Sequence, residues 1–99
     1  MIRHIVLWKL VAETAEGKAA SAAELARILE PLAGVIPGIA SLTVRPNAAF
    51  AEVNWDVALV GDFESLAALE AYQVHPEHVA VTEVVREHVT ARAAVDFDL

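Results

Sequence analysis

The segment Ile2-Arg3-His4-Ile5-Val6-Leu7-Trp8-Lys9-Leu10 alternates with a period of two. Successive side chains of a strand point to opposite faces. Ile2, His4, Val6, Trp8 and Leu10 therefore share one side, and Arg3, Ile5, Leu7 and Lys9 the other. Both sides are apolar in the middle of the run, which is the pattern of a strand buried on two faces. The sheet that this strand joins has to be covered twice.

Downstream, residues 11–18 (VAETAEGK) read as a polar loop, and residues 19–32 as a helix of strong helix formers. Leu25, Ile28, Leu29 and Leu32 recur at i, i+3, i+4 and i+7, one helical face. Pro31 distorts the last turn, and Gly34, Pro37 and Gly38 mark a reversal. Residues 39–45 (IASLTVR) form a second strand, 46–51 a loop, and 52–60 (EVNWDVALV) a third strand that Gly61 and Asp62 close. A helix follows over residues 64–72, capped by Ser65 or Asp62. The residue before a proline avoids helical angles, so His75-Pro76 breaks that helix. Pro76 suits the first position of a new one, over residues 76–91. Residues 93–98 (AAVDFD) make a last strand.

The order β-α-β-β-α-β, its second helical element split in two, predicts a single α+β domain over residues 1–99. Its fold is ferredoxin-like: an antiparallel sheet with helices on one face. The other face carries Ile5 and Leu7, and in water it would be a large apolar patch. Two such sheets packed face to face across a two-fold axis would close a shared barrel, so the expected partner is a second copy of the chain.

Composition points the same way. Of the 99 residues, 57% are hydrophobic and 21% charged, against about half apolar in an average soluble domain. No run of apolar residues reaches the roughly 18 needed for a membrane span. The N-terminal stretch has His4, Arg3 and Lys9 spread through it and no cleavage pattern behind it. A cytoplasmic protein without membrane attachment is expected. The net charge of −7 disfavours a nucleic-acid partner. With no cysteine, disulfides, thiolate chemistry and Cys-metal sites are excluded.

Two segments carry a resemblance. Arg3-His4-Ile5-Val6-Leu7-Trp8-Lys9-Leu10 resembles the opening strand of stress-responsive dimeric α/β-barrel (Dabb) domains. Leu69 to Val79 (LEAYQVHPEHV) is close to that family's Tyr-x-x-His-Pro-x-His. Ile36-Pro37-Gly38-Ile39 and Val95-Asp96-Phe97 also fit, so the resemblance covers the whole chain. It implies a homodimeric α/β barrel, associated with stress or binding a small ligand, without turnover of its own. A plant branch, the olivetolic-acid-cyclase-like members, closes polyketides by aldol condensation without metal or organic cofactor. That branch implies His78 as general base, Tyr72 as the residue that polarises the substrate, and His4 nearby. Related lyase or isomerase chemistry would use the same base. A haem or oxygenase role follows from fold analogy alone.

Each residue also has a plainer reading. His78 titrates near working pH and suits proton abstraction, or it fastens a helix junction to the backbone. Tyr72 offers a hydroxyl to a developing enolate, or is a core residue with its oxygen at a pocket mouth. His4 orients a ligand, or is a satisfied half-buried imidazole. Val6, Trp8 and His75 complete the expected pocket, which would take a small aromatic or polyketide-like ligand. Trp8 occupies volume that a long substrate would need. His75 and His78 stand at i, i+3 without a third ligand at a readable spacing, so no metal site is expected. Asp56, Asp62, Asp96 and Asp98 near strand ends read as solvated carboxylates.

Overall fold

The computed structural model describes all residues, Met1–Leu99. Strand β1 spans Ile2–Leu10, as its alternation predicts. Helix α1 spans Ala15–Leu29, starting four residues before the expected helix. Thr14 is the reason: its hydroxyl accepts the Gly17 N–H at 3.0 Å and caps the helix. The chain then tightens into a 3₁₀ turn, Glu30–Gly34, with Pro31 in its first turn. Strand β2 is Ile39–Pro46.

Strand β3 is Val57–Phe63, not residues 52–60. Residues 51–54 form a turn instead, and Val53 is 77% exposed. The alternation runs on through Gly61 and Asp62 to Phe63. Gly61 is a mid-strand glycine of close approach. A Cβ there would stand 2.8 Å from Leu42 and 2.9 Å from the Phe63 ring.

Helix α2, Leu66–Val74, is capped by Ser65, whose Oγ accepts the Ala68 N–H at 3.1 Å. His75 breaks the helical run with extended angles, and Pro76 opens helix α3, Pro76–His88. Strand β4 begins at Val89, four residues before its expected start, and runs to Asp98. A register shift at Lys9/Leu10 admits Thr90 to the strand, and the Val11 N–H ties the end of α3 by donating to the His88 carbonyl at 2.8 Å.

The four strands stand in the order β2-β3-β1-β4, antiparallel throughout. This is the ferredoxin-like arrangement, with the helices on one face. Val6, Trp8, Leu10, Val57, Leu59 and Phe63 point into the core against Leu25, Leu29, Leu69, Tyr72 and Val85 of the helices. On the opposite face, the strand pairing sets Ile5 between Val60 and Val95, and Leu7 between Ala58 and Ala93. Val95 and Phe97 are exposed there.

The carboxylates expected to be solvated are mostly engaged. Asp62 forms a two-point pair with Arg3, at 2.8 and 3.0 Å. Asp56 accepts the Leu10 N–H at 2.8 Å and the Lys18 ammonium at 3.0 Å, joining β1, α1 and the entry to β3. Burial pushes the Asp56 carboxyl up, but these two donors outweigh it and hold the group below its ordinary value.

Candidate functional site

The break at His75-Pro76 sets Tyr72 at the end of α2 beside His78 in the first turns of α3. Their ring centroids are 4.0 Å apart with planes inclined by 32°. Tyr72 also meets Phe63 at 5.0 Å and the edge of His4 at 6.5 Å. His4 stands edge-on to Phe63 at 6.1 Å. Gly61, which the pairing places opposite His4, leaves the Phe63 ring its place. The sequence candidates His4, Tyr72 and His78 thus converge on one aromatic cluster, and Phe63 is its unanticipated member.

These rings border a cavity of about 500 Å³ beneath α3, above β1 and the first half of β4. That volume lies in the ordinary range for small-molecule pockets. Val6, Trp8, Leu29, Leu59 and Val85 form its apolar walls. Trp8 is part of a wall and does not fill the space. His75 is not part of the lining. Its Nδ1 instead accepts the Glu77 N–H at 3.1 Å and caps α3, because the extended residue before a helix is the one that meets free amides.

Burial sets the chemistry of the two central groups. It pushes the Tyr72 phenol up to about 12, with the Arg92 charge opposing it in part. No protein group accepts the Tyr72 hydroxyl proton, yet no side-chain oxygen is buried without a partner, so this oxygen reaches the cavity. Burial also lowers His78, against the Gln73 carbonyl, which favours the charged ring. That carbonyl lies 3.3 Å from His78 Nδ1. A carbonyl only accepts, which assigns the proton to Nδ1 and leaves Nε2 as the basic nitrogen.

His4 is buried, and its Nδ1 pairs with the Asp96 carboxylate across the β1–β4 ladder. Asp96 is therefore a support of the site that the sequence reading placed in solvent. Its signal was the register: antiparallel alignment of β4 on β1 sets residue 96 opposite residue 4. Arg92 was missed as well, because it fell between the expected helix and the expected strand. No three His, Asp or Glu side chains cluster to hold a metal ion. No helix is long and apolar enough to cross a membrane.

The family model of the Dabb domain, described as a stress responsive A/B barrel domain, matches residues 2–99. No curated protein matches the chain. Among solved structures, the chain is similar to a dimeric protein of unknown function and ferredoxin-like fold from Bacteroides fragilis. The identity is 32% and the TM-score 0.85, over 99% of this chain and 95% of that one. A dimeric ferredoxin-like protein of unknown function from Thermobifida fusca is 28% identical with a TM-score of 0.80, over 99% and 90% of the two chains. Another dimeric ferredoxin-like protein, from a Jannaschia species, is 25% identical with a TM-score of 0.79, over 99% and 98%.

Proposed function

The chain belongs to the stress responsive A/B barrel (Dabb) family, and on that premise we propose that it works as a cytoplasmic homodimer that binds a small, largely apolar ligand. The dimer forms through the open sheet face, where Ile5, Leu7, Val60, Val95 and Phe97 meet the same residues of a second copy. The dimeric state of similar proteins supports a homodimer. The ligand occupies the cavity under α3. The observation that carries the proposal is the cavity of about 500 Å³ bordered by Tyr72 and His78 at 4.0 Å. The test is an NMR titration of the labelled dimer with phenols, β-diketones and aromatic acids. Saturable shifts at Trp8, Tyr72 and His78 are expected. No shift across the panel would mean that the His-Pro-x-His segment is a structural junction.

The state of His78 favours a second reading. A neutral imidazole with a basic Nε2, beside a phenol that stays protonated, is suited to remove a proton from carbon between two carbonyls. Tyr72 would then donate to the developing enolate oxygen. Such cofactor-free cyclase, lyase or isomerase activity predicts a loss of roughly 10²-fold or more in His78→Ala, the usual size of a general-base contribution. An unchanged rate in that variant would remove the assignment.

A further inference from the structure

The charge of the cavity runs against that of the chain. The sequence carries 14 Asp and Glu against 7 Lys and Arg. Yet none of the 15 residues lining the cavity is acidic, and two are arginines, Arg86 and Arg92. Arg3, Arg27, Arg45 and Arg86 each hold a carboxylate, on Asp62, Glu24, Glu30 and Glu83 respectively. Arg92 holds none. It stands on β4 opposite Trp8 in the strand pairing, at the end of the cavity where the helices leave β4 uncovered. Burial dominates the shifts of Tyr72 and His78, but the Arg92 charge reaches both rings as a lesser contribution.

A guanidinium does not lose its proton in a protein. One left unpaired beside an apolar cavity, in an acidic chain, concentrates positive potential where a ligand would enter. We infer that the cavity takes a small organic carboxylate, its aromatic or branched body held between Trp8, Leu29, Leu59 and Val85 and its carboxylate on Arg92. The planar fork of the guanidinium matches a carboxylate with two parallel hydrogen bonds. A single free guanidinium, with no lysine in the lining, answers one negative charge rather than a phosphate dianion. The inference rests on the cavity being the ligand site, as proposed above, and names the class of ligand.

Benzoate and benzamide are close in shape and differ in charge. Each is titrated into the isotope-labelled full chain, following the Trp8 indole and the Tyr72 and His78 rings, in wild type, Arg92→Gln and Arg92→Lys. Arg92 makes no side-chain hydrogen bond or ion pair, so its replacement leaves the bonding of the fold intact. Benzoate is expected to bind about tenfold or more tightly than benzamide to the wild type, the scale of a charge-assisted hydrogen bond. Arg92→Gln brings benzoate to the level of benzamide, while Arg92→Lys keeps part of the preference. Equal binding of acid and amide, or a benzoate preference that survives Arg92→Gln, overturns the carboxylate assignment and leaves the cavity reading standing. Shifts from neither compound overturn the carboxylate assignment, and the wider panel of phenols and β-diketones then decides the cavity reading.

Discussion

Burial around His78 removes the water that would stabilise its imidazolium, so the ring stays neutral at a pH where a free imidazole takes up a proton. An NMR titration should place its midpoint below the ordinary 6.5. The unfolded chain binds that proton first, so the stability His78 contributes is present above the unfolded pKa and is lost as pH falls towards the folded one. A midpoint at or above the ordinary value would contradict the burial. Tyr72 is displaced the other way, to about 12, and ultraviolet titration should find its phenol intact through the alkaline range of a free tyrosine. Gly61 is as specific a feature as either ring. Gly61→Ala drives a methyl into the Phe63 ring and Leu42, and should cost about 1–3 kcal/mol in denaturant unfolding, as overpacking does. A neutral Gly61→Ala would mean that the aromatic cluster has slack. Of these residues, His4, Tyr72 and His78 were legible because the motif and the strand alternation carry them. Asp96 was not, since its role exists only once two strands 92 positions apart are paired in register.

Where the sequence carried a hard local signal, the elements came out as expected. Proline fixed the α2–α3 break, and two-faced alternation fixed β1. The misplaced boundaries have a common cause. Val53 and Trp55 continue the alternation of β3 in sequence while the chain there is turning, and Gly61 looks like a stop while it is a point of close packing. Composition likewise cannot show that Thr14 caps α1 across a segment that reads as loop. The cavity was beyond sequence reading altogether, because its volume depends on how α3 seats over β1 and β4. Asp56 is the joint most exposed to test at this scale. It binds the last amide of β1 and Lys18 of α1. Asp56→Ala leaves the Leu10 N–H without its acceptor and should cost about 1–3 kcal/mol, the penalty for an unsatisfied buried donor. Its folded pKa is depressed, so its contribution is present above the unfolded carboxyl pKa and lost as pH falls through the folded value. Thermal unfolding of wild type and variant should therefore converge in acid, whereas a constant difference across pH would show that Asp56 acts through packing alone.

At the scale of the molecule, the fold covers one sheet face with helices and leaves the other open, with Val95 and Phe97 exposed on it. Ile5, Leu7, Val60, Val95 and Phe97 form an apolar field with the Arg3–Asp62 pair at its edge. A chain that is 57% hydrophobic spends part of that surplus here. On the proposed reading the same division separates two roles: the open face of the sheet would join copies, and the other borders the cavity with His4, Tyr72 and His78. Disrupting the first should therefore leave the second assembled. Leu7→Glu places a charge at the centre of the open face, opposite Ala58 and Ala93. Sedimentation equilibrium of the wild type and Leu7→Glu at micromolar concentration tests this interface directly. Dimerisation through this face predicts twice the 10.6 kDa chain mass for the wild type and a shift towards the single-chain mass for the variant. A wild type that sediments as one chain, or a Leu7→Glu dimer as firm as the wild type, would contradict it.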